Sequence, residues 1–210
     1  MNYRKVFAAA RQNATIVMDE TKDNMVALVK FGTIFYVIHE YLCDVTTCIG
    51  PSMLPTFNQT GDVVLMERVT TRVLKKFSRG DVVISQSPTN PGQTVCKRIR
   101  ATAGDVVTLP PSLSHYGRLQ GWANRGVGGG GGGVIGGGLS LVVPPGHVWL
   151  EGDNALNSTD SRYYGPVPAA LVKGVVVVRI WPAMGYVACI PPDLEGTQVG
   201  SLKHPSLVTL

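Results

Sequence analysis

Two hydrophobic rhythms divide the chain. From Met25 to Cys43 the stretch MVALVKFGTIFYVIHEYLC is apolar for most of its length, interrupted by Lys30, His39 and Glu40. A membrane-crossing helix needs about 20 predominantly apolar residues, and this stretch comes close. Lys30 lies near one end, where its stem can carry the ammonium to an interface, and Phe35, Tyr36 and Tyr41 suit an interfacial aromatic belt. Residues 25–43 therefore read as a single membrane anchor, with a buried or interfacial helix as the competing reading. Residues 1–24 carry Arg4, Lys5 and Arg11 with no acid before Asp19, a weak organelle-targeting composition. Positive charges ahead of an anchor stay on the side from which insertion starts, which leaves everything after Cys43 on the opposite side.

From Gly61 onward the rhythm changes to short β-branched runs bounded by turn residues. DVVLMERV, GDVVISQ, QTVCKRIRA, GDVVTLP, LSLVVPP, GHVWLEG and KGVVVVRIWP are strand candidates, separated by Gly, Pro, Asn and Asp. They predict a mostly β fold, an antiparallel domain over 44–182, followed by a C-terminal extension, 183–210. Gly-Asp-Val-Val occurs at Gly61, Gly80 and Gly104. The unequal spacing makes this one turn-to-strand solution reused, not a longer repeat. Residues 126–138, GVGGGGGGVIGGG, hold ten of the chain's 25 glycines. Such a tract has no side chains to pack and much backbone entropy to lose, so it reads as a flexible insertion between strands. No Lys-Ser/Thr and no helix start follows it, which argues against a phosphate cradle.

Composition narrows the classes. With 44% hydrophobic and 16% charged residues and a mean hydropathy of +0.14, the 210 residues are more apolar than most soluble domains. The net charge of +5 comes without a basic stripe interleaved with aromatics, so nucleic acid is not an expected partner. Cys43, Cys48, Cys96 and Cys189 lack zinc-type spacing. Cys43 and Cys48 either bridge in an oxidising compartment or stay as small unpaired hydrophobes.

Three stretches carry candidate chemistry. In CIGPSMLPTFNQTGDVV, Pro51 and Pro55 restrict the backbone on both sides of Ser52, as suits a nucleophile; a turn or cap serine is the plainer reading. None of His39, His115, His147 and His204 sits in a context that marks it as the base. A neutral lysine can replace histidine, and in QTVCKRIRA strand alternation puts Lys97 with Val95 and Ile99 on an apolar face, with Arg98 on the other. Burial lowers a lysine pKa towards the range of a general base, whereas a guanidinium stays protonated. The competing reading has Lys97 at a strand edge, reaching water. In GHVWLEGDNALNSTDSRYYGPVP a strand runs into a polar turn where Asp160 and Arg162 can pair and the hydroxyls of Ser158 and Ser161 can meet a buried amine.

Together, GPSMLPTF, CKRIRATAGD and GHVWLEGDNALNSTDSRYYGPVP resemble the boxes of type I signal peptidases, especially the mitochondrial inner-membrane kind. The resemblance covers about Cys48 to Pro182. It implies a membrane-anchored Ser-Lys endopeptidase, with Ser52 as nucleophile, Lys97 as general base, Ser158 orienting Lys97, and Asp160 and Arg162 as a supporting pair. Met53 would sit beside the cleft for the small side chain preceding the scissile bond. Gly50 stands where bacterial relatives often carry a serine that assists the oxyanion hole, so a second donor has to come from the Gly50 backbone or from water. No metal or organic cofactor is implied. The implied substrates are precursor proteins carrying presequences. The implied site is the mitochondrial inner membrane, with residues 1–24 on the matrix side and the β domain in the intermembrane space. The implied partner is a homologous second peptidase subunit. The alternatives are a non-catalytic subunit that stabilises an active partner, against which the joint presence of Ser52, Lys97 and Ser158 argues, and a soluble Ser-Lys autoprotease, against which the apolar segment argues.

Overall fold

The computed structural model describes residues 3–74, 76–110, 119, 133–135, 138–187 and 198–201. His115, His204 and Cys189 lie outside the described residues, as does most of the glycine tract. The chain forms two compact units, Met1–Leu42 and Cys43–Leu210.

The first unit is helix α1 (Tyr3–Val37), whose last turn widens over Ile38–Leu42. Within it Glu20–Leu42 is long and apolar enough to cross a membrane, with none of it buried against protein. Its 23 residues, at about 1.5 Å each, exceed a hydrocarbon layer of about 30 Å. Leu28, Val29, Phe31, Ile34 and Phe35 all project outward.

The second unit is built from antiparallel strands: β1 (Cys43–Cys48), β2 (Asp62–Glu67), β3 (Val82–Gln86), β4 (Thr94–Thr102), β5 (Asp105–Leu109), β6 (Gly133–Ile135), β7 (Gly138–Val142), β8 (His147–Glu151), β9 (Val167–Pro168), β10 (Val172–Trp181), β11 (Gly185–Tyr186) and β12 (Gln198–Ser201). One sheet runs β1-β2-β10-β3-β4-β8-β9, with β11 beside β10, and the second runs β12-β5-β7-β6. A short helix, α2 (Ser161–Tyr164), follows β8. All seven strand candidates read from the sequence are present as β2, β3, β4, β5, β7, β8 and β10.

The repeated Gly-Asp-Val-Val has a physical basis. Gly61, Gly80 and Gly104 all take positive φ, which a side chain would oppose. Each following aspartate then closes its turn: Asp62 accepts from the Asn58 N–H at 3.2 Å, Asp81 from the Ser78 N–H at 2.8 Å, and Asp105 from the Thr102 N–H at 2.8 Å. One local solution launches three strands.

Strand alternation then splits the core. Val82 and Ile84 of β3 join Val64, Met66 and Val176 on one face, where Met53 and Phe57 from the segment after Ser52 cover them. Val83 points the other way, with Ile99, Leu150, Val167, Val172 and Val175. A third cluster around Val107, Leu109, Leu141 and Trp149 ties the smaller sheet to the larger. Seating Met53 and Phe57 in this core fixes the serine segment from below.

One expectation needs correction, one alternative is decided and one strand goes unread in the sequence. Part of the glycine tract is strand, because Val134 and Ile135 let β6 pair with β7. Cys43 and Cys48 do not bridge; they close the two ends of β1, pairing with Glu67 and Asp62 of β2, and five strand steps of about 3.3 Å hold them too far apart. The strand β1 itself, CDVTTC, lacks the apolar alternation that reveals strands, because it lies at a sheet edge and buries only Cys48.

Candidate active site

The serine segment is fixed by its neighbours in space. Gly50 has φ of 120°, a conformation that suits glycine and not the ordinary extended geometry expected ahead of a proline. Pro51–Met53 form a single 3₁₀ turn. From the far side Asn154 clamps this turn: its N–H donates to the Ser52 carbonyl at 2.9 Å and its Nδ2 to the Pro51 carbonyl at 3.0 Å. The Gly50 N–H is committed to the Gln59 carbonyl at 3.2 Å, so Gly50 does not supply the second oxyanion donor.

Ser52 and Lys97 line the same cavity of about 260 Å³. Its sides come from Thr46, Thr47 and Cys48 of β1 and Thr94, Val95 and Cys96 of β4, and Met53, Phe57 and Ile84 add the apolar lining. Lys97 is buried. Its Nζ donates to Ser158 Oγ at 3.0 Å, and the Ser158 hydroxyl donates in turn to Asp160 Oδ2 at 2.6 Å. Asp160 also accepts from the Gly152 N–H at 2.9 Å and from Arg162, through Nε at 2.8 Å and Nη2 at 2.6 Å. The sequence placed Ser158 and Ser161 together as partners for an amine. Only Ser158 takes that position, because the Ser161 hydroxyl accepts the Leu150 N–H at 2.9 Å.

Burial and the surrounding charges act on the amine in opposite directions. Burial pushes the Lys97 pKa below its ordinary value; the Asp160 charge pulls the other way, and the Arg162 guanidinium opposes Asp160. The bidentate pairing with Arg162 offsets part of the Asp160 charge, so Asp160 accepts the Ser158 hydroxyl while burial still leaves the Lys97 pKa lowered.

Arg98 does not face solvent. Ladder partners on both sides of β4 and the turn after β8 enclose it, and it grips Asp153 through Nε at 2.8 Å and Nη2 at 2.7 Å. Its Nη1 donates to the Gly80 carbonyl at 2.8 Å, and Thr56 donates to Asp153 at 2.5 Å. One ion pair therefore ties the serine segment, β4 and the polar turn together. Reading the strand by alternation missed this, although a buried cation needs a carboxylate and Asp153 lies in the adjacent box. Gly152 was also missed: a Cβ there would lie 2.3 Å from Ser158 Oγ and 2.5 Å from the Ser52 carbonyl oxygen.

The family described as signal peptidase, peptidase S26, matches residues 21–112 and 118–181, which take in the anchor-length helix, the Ser52 turn, β4 and the polar turn. The chain belongs to the signal peptidase family. Among its relatives is the mitochondrial inner membrane protease subunit 1 of Schizosaccharomyces pombe, 36% identical over 81% of this chain and 94% of the relative. The human protein of the same name is 38% identical over 75% of this chain and 81% of its own length. The mitochondrial inner membrane protease subunit 2 of S. pombe is 32% identical over 76% of each. A signal peptidase I crystal structure from Enterococcus faecalis is 29% identical over 48% of this chain and 96% of that one, with a TM-score of 0.33. In this signal peptidase the residues picked out by motif, Ser52, Met53, Lys97, Ser158, Asp160 and Arg162, meet around one cleft and its hydrogen-bonded wall.

Proposed function

We propose that this chain is a serine endopeptidase of the mitochondrial inner membrane, in which Ser52 is the nucleophile and Lys97 the general base. The observation that carries the reading is a buried lysine, lowered in pKa and tethered to Ser158, on the same cavity as a serine held between two prolines.

Ser158 accepts one N–H of the amine, which leaves the lone pair of neutral Lys97 for the Ser52 proton. The Ser52 oxygen attacks the peptide carbonyl, Lys97 returns the proton to the departing amine, and the ester-linked acyl-enzyme is hydrolysed by a water that Lys97 deprotonates. The Ser52 N–H is the first donor to the oxyanion. Because the Gly50 N–H is occupied, the second donor is water.

The substrate is the extended end of a sorting presequence. Among the described residues β1 pairs only with β2, and β4 from Thr94 to Lys97 pairs only with β3. Two unpaired strand edges thus flank the cavity, and an extended peptide can add to them through main-chain hydrogen bonds. The apolar lining by Met53, Phe57 and Ile84 suits a small side chain next to the cleaved bond. The relatives' names support the compartment and a homologous second subunit as partner. The charges of Arg4, Lys5 and Arg11, ahead of the apolar segment, support a β domain in the intermembrane space, where proteins delivered to that compartment would be cut.

Purified full-length chain, incubated with a presequence peptide, tests this. Wild type is expected to cut once at a defined bond, and Ser52→Ala to lose at least a thousandfold in rate while keeping its circular dichroism spectrum, on the scale of losing a nucleophile. Cleavage retained in Ser52→Ala would remove Ser52 from the mechanism.

A further inference from the structure

The cavity wall contains a feature that the Ser52–Lys97 chemistry does not use. Cys48, the last residue of β1, and Cys96 of β4 come from strands that are not neighbours in the sheet, yet both line the cavity and both pack with Met53, Phe57 and Ile84. Their thiols lie close enough for each to shift the other's ionisation. Neither is in a disulfide. Cys96 immediately precedes Lys97, and Cys48 stands four positions before Ser52, so the pair joins the two segments that hold the proposed dyad.

We infer that Cys48 and Cys96 form a thiol–disulfide site in the cleft wall, which takes a low-molecular-weight disulfide as its reactant and closes the cleft to substrate when the two cysteines are bridged. The inference rests on the Ser52–Lys97 reading for its effect on activity, though not for the bridge itself.

The chemistry balances as thiol–disulfide exchange. One of the two cysteines, as its thiolate, attacks one sulfur of the small disulfide and expels the other half as a thiolate, leaving a mixed disulfide on that cysteine. The other cysteine gives up its proton to that expelled thiolate and attacks the first cysteine's sulfur. The second half leaves as a thiolate and takes a proton from water. Two protein thiols are oxidised and one small disulfide is reduced to two thiols.

Contact between the two thiols lowers the Cys48 pKa and raises that of Cys96, and Cys96 is the more exposed residue of the two. Access is through the cavity, whose rim carries the exposed Ile49 and Thr94.

Bridging has a structural cost for the site. A disulfide draws its sulfurs to about 2.05 Å, well inside the contact distance of two thiols, so β1 and β4 must approach one another. Lys97 moves with β4 and the Ser52 turn with the end of β1 that leads into it, and the space for a substrate side chain narrows. A misplacement of about 1 Å in such a site costs on the order of a hundredfold in rate.

The test uses the full-length chain in detergent, equilibrated in glutathione buffers from fully reduced to fully oxidised and then divided. One portion is alkylated, digested without reductant and mapped by tandem mass spectrometry, which separates a link at Cys48 from one at Cys43. The other is assayed for single-turnover cleavage of a presequence peptide. Oxidation is expected to produce the Cys48–Cys96 linked peptide and a parallel fall in cleavage of about a hundredfold, reversed by dithiothreitol. In the double variant Cys48→Ser with Cys96→Ser, which can form neither the bridge nor a mixed disulfide in the cleft, the ratio of reduced to oxidised rates is expected to be near one, whatever its absolute rate. Absence of the link, a link without loss of cleavage, or an oxidative loss that persists in the double variant would each overturn the inference. In a chain that cuts under neither condition the protease reading fails, and the peptide map alone then upholds or overturns the site.

Discussion

A lysine serves as a base only while it has a free lone pair, and the residues around Lys97 act on that condition from two sides. Burial lowers its pKa, and Arg162 shields it from Asp160. Replacing Arg162 with Gln leaves the Asp160 carboxylate facing the amine without its counter-ion. The ammonium form gains stability, so the limb of the pH–rate profile that reports Lys97 deprotonation moves to higher pH. Cleavage rates measured across pH would show this, and an unmoved limb would mean that Arg162 acts only on structure. Arg98, its neighbour in sequence on β4, has a different task. Arg98→Lys keeps the charge but loses the bidentate grip on Asp153 and the contact with the Gly80 carbonyl. The expected cost is roughly 1–3 kcal/mol for an unsatisfied buried charge network, or about 2–4 °C of melting temperature per kcal/mol at this chain length. Thermal unfolding followed by circular dichroism checks it; an unchanged melting temperature would contradict the role given to this pair.

At the scale of elements, the site depends on how closely the turn after β8 approaches the serine segment. Gly152 lets the two touch. In Gly152→Ala the new Cβ would press on Ser158 and the Ser52 carbonyl together, which pushes the two proposed partners of Lys97 apart. A loss on the order of a hundredfold in rate is expected, with far-ultraviolet circular dichroism retained; wild-type cleavage in this variant would show that the turn can yield. The same elements show what the sequence can disclose. Lys97 was readable because the apolar side chains of Val95 and Ile99 flank it at strand spacing. The burial of Arg98 was not readable because alternation reports two faces without saying that both are covered. Strand β1 was hidden because an edge strand need bury only one face at one end, here at Cys48, and β6 because three residues inside a glycine tract carry little pattern. The contact between Cys48 and Cys96 follows from sheet curvature, which no local pattern encodes.

For the whole molecule, an apolar helix near the N-terminus, a β domain organised by three identical turn-to-strand launches, and motifs brought from distant positions to one cavity agree with membership of the signal peptidase family. The motif residues were legible as candidates, since prolines, a lysine among aliphatics and a dense polar turn are each unusual locally. Their convergence required the fold. The central claim is that the full-length chain cuts peptides with a neutral Lys97. Because the working form is the deprotonated one, the cleavage rate should rise with pH and level off above the lowered Lys97 pKa. The direct measurement is single-turnover cleavage of a presequence peptide across pH, by wild type and by Lys97→Arg, with both confirmed as folded. The account predicts a rising, levelling profile for wild type and no measurable cleavage at any pH for Lys97→Arg, whose guanidinium cannot give up its proton. Near-wild-type cleavage by Lys97→Arg would contradict it.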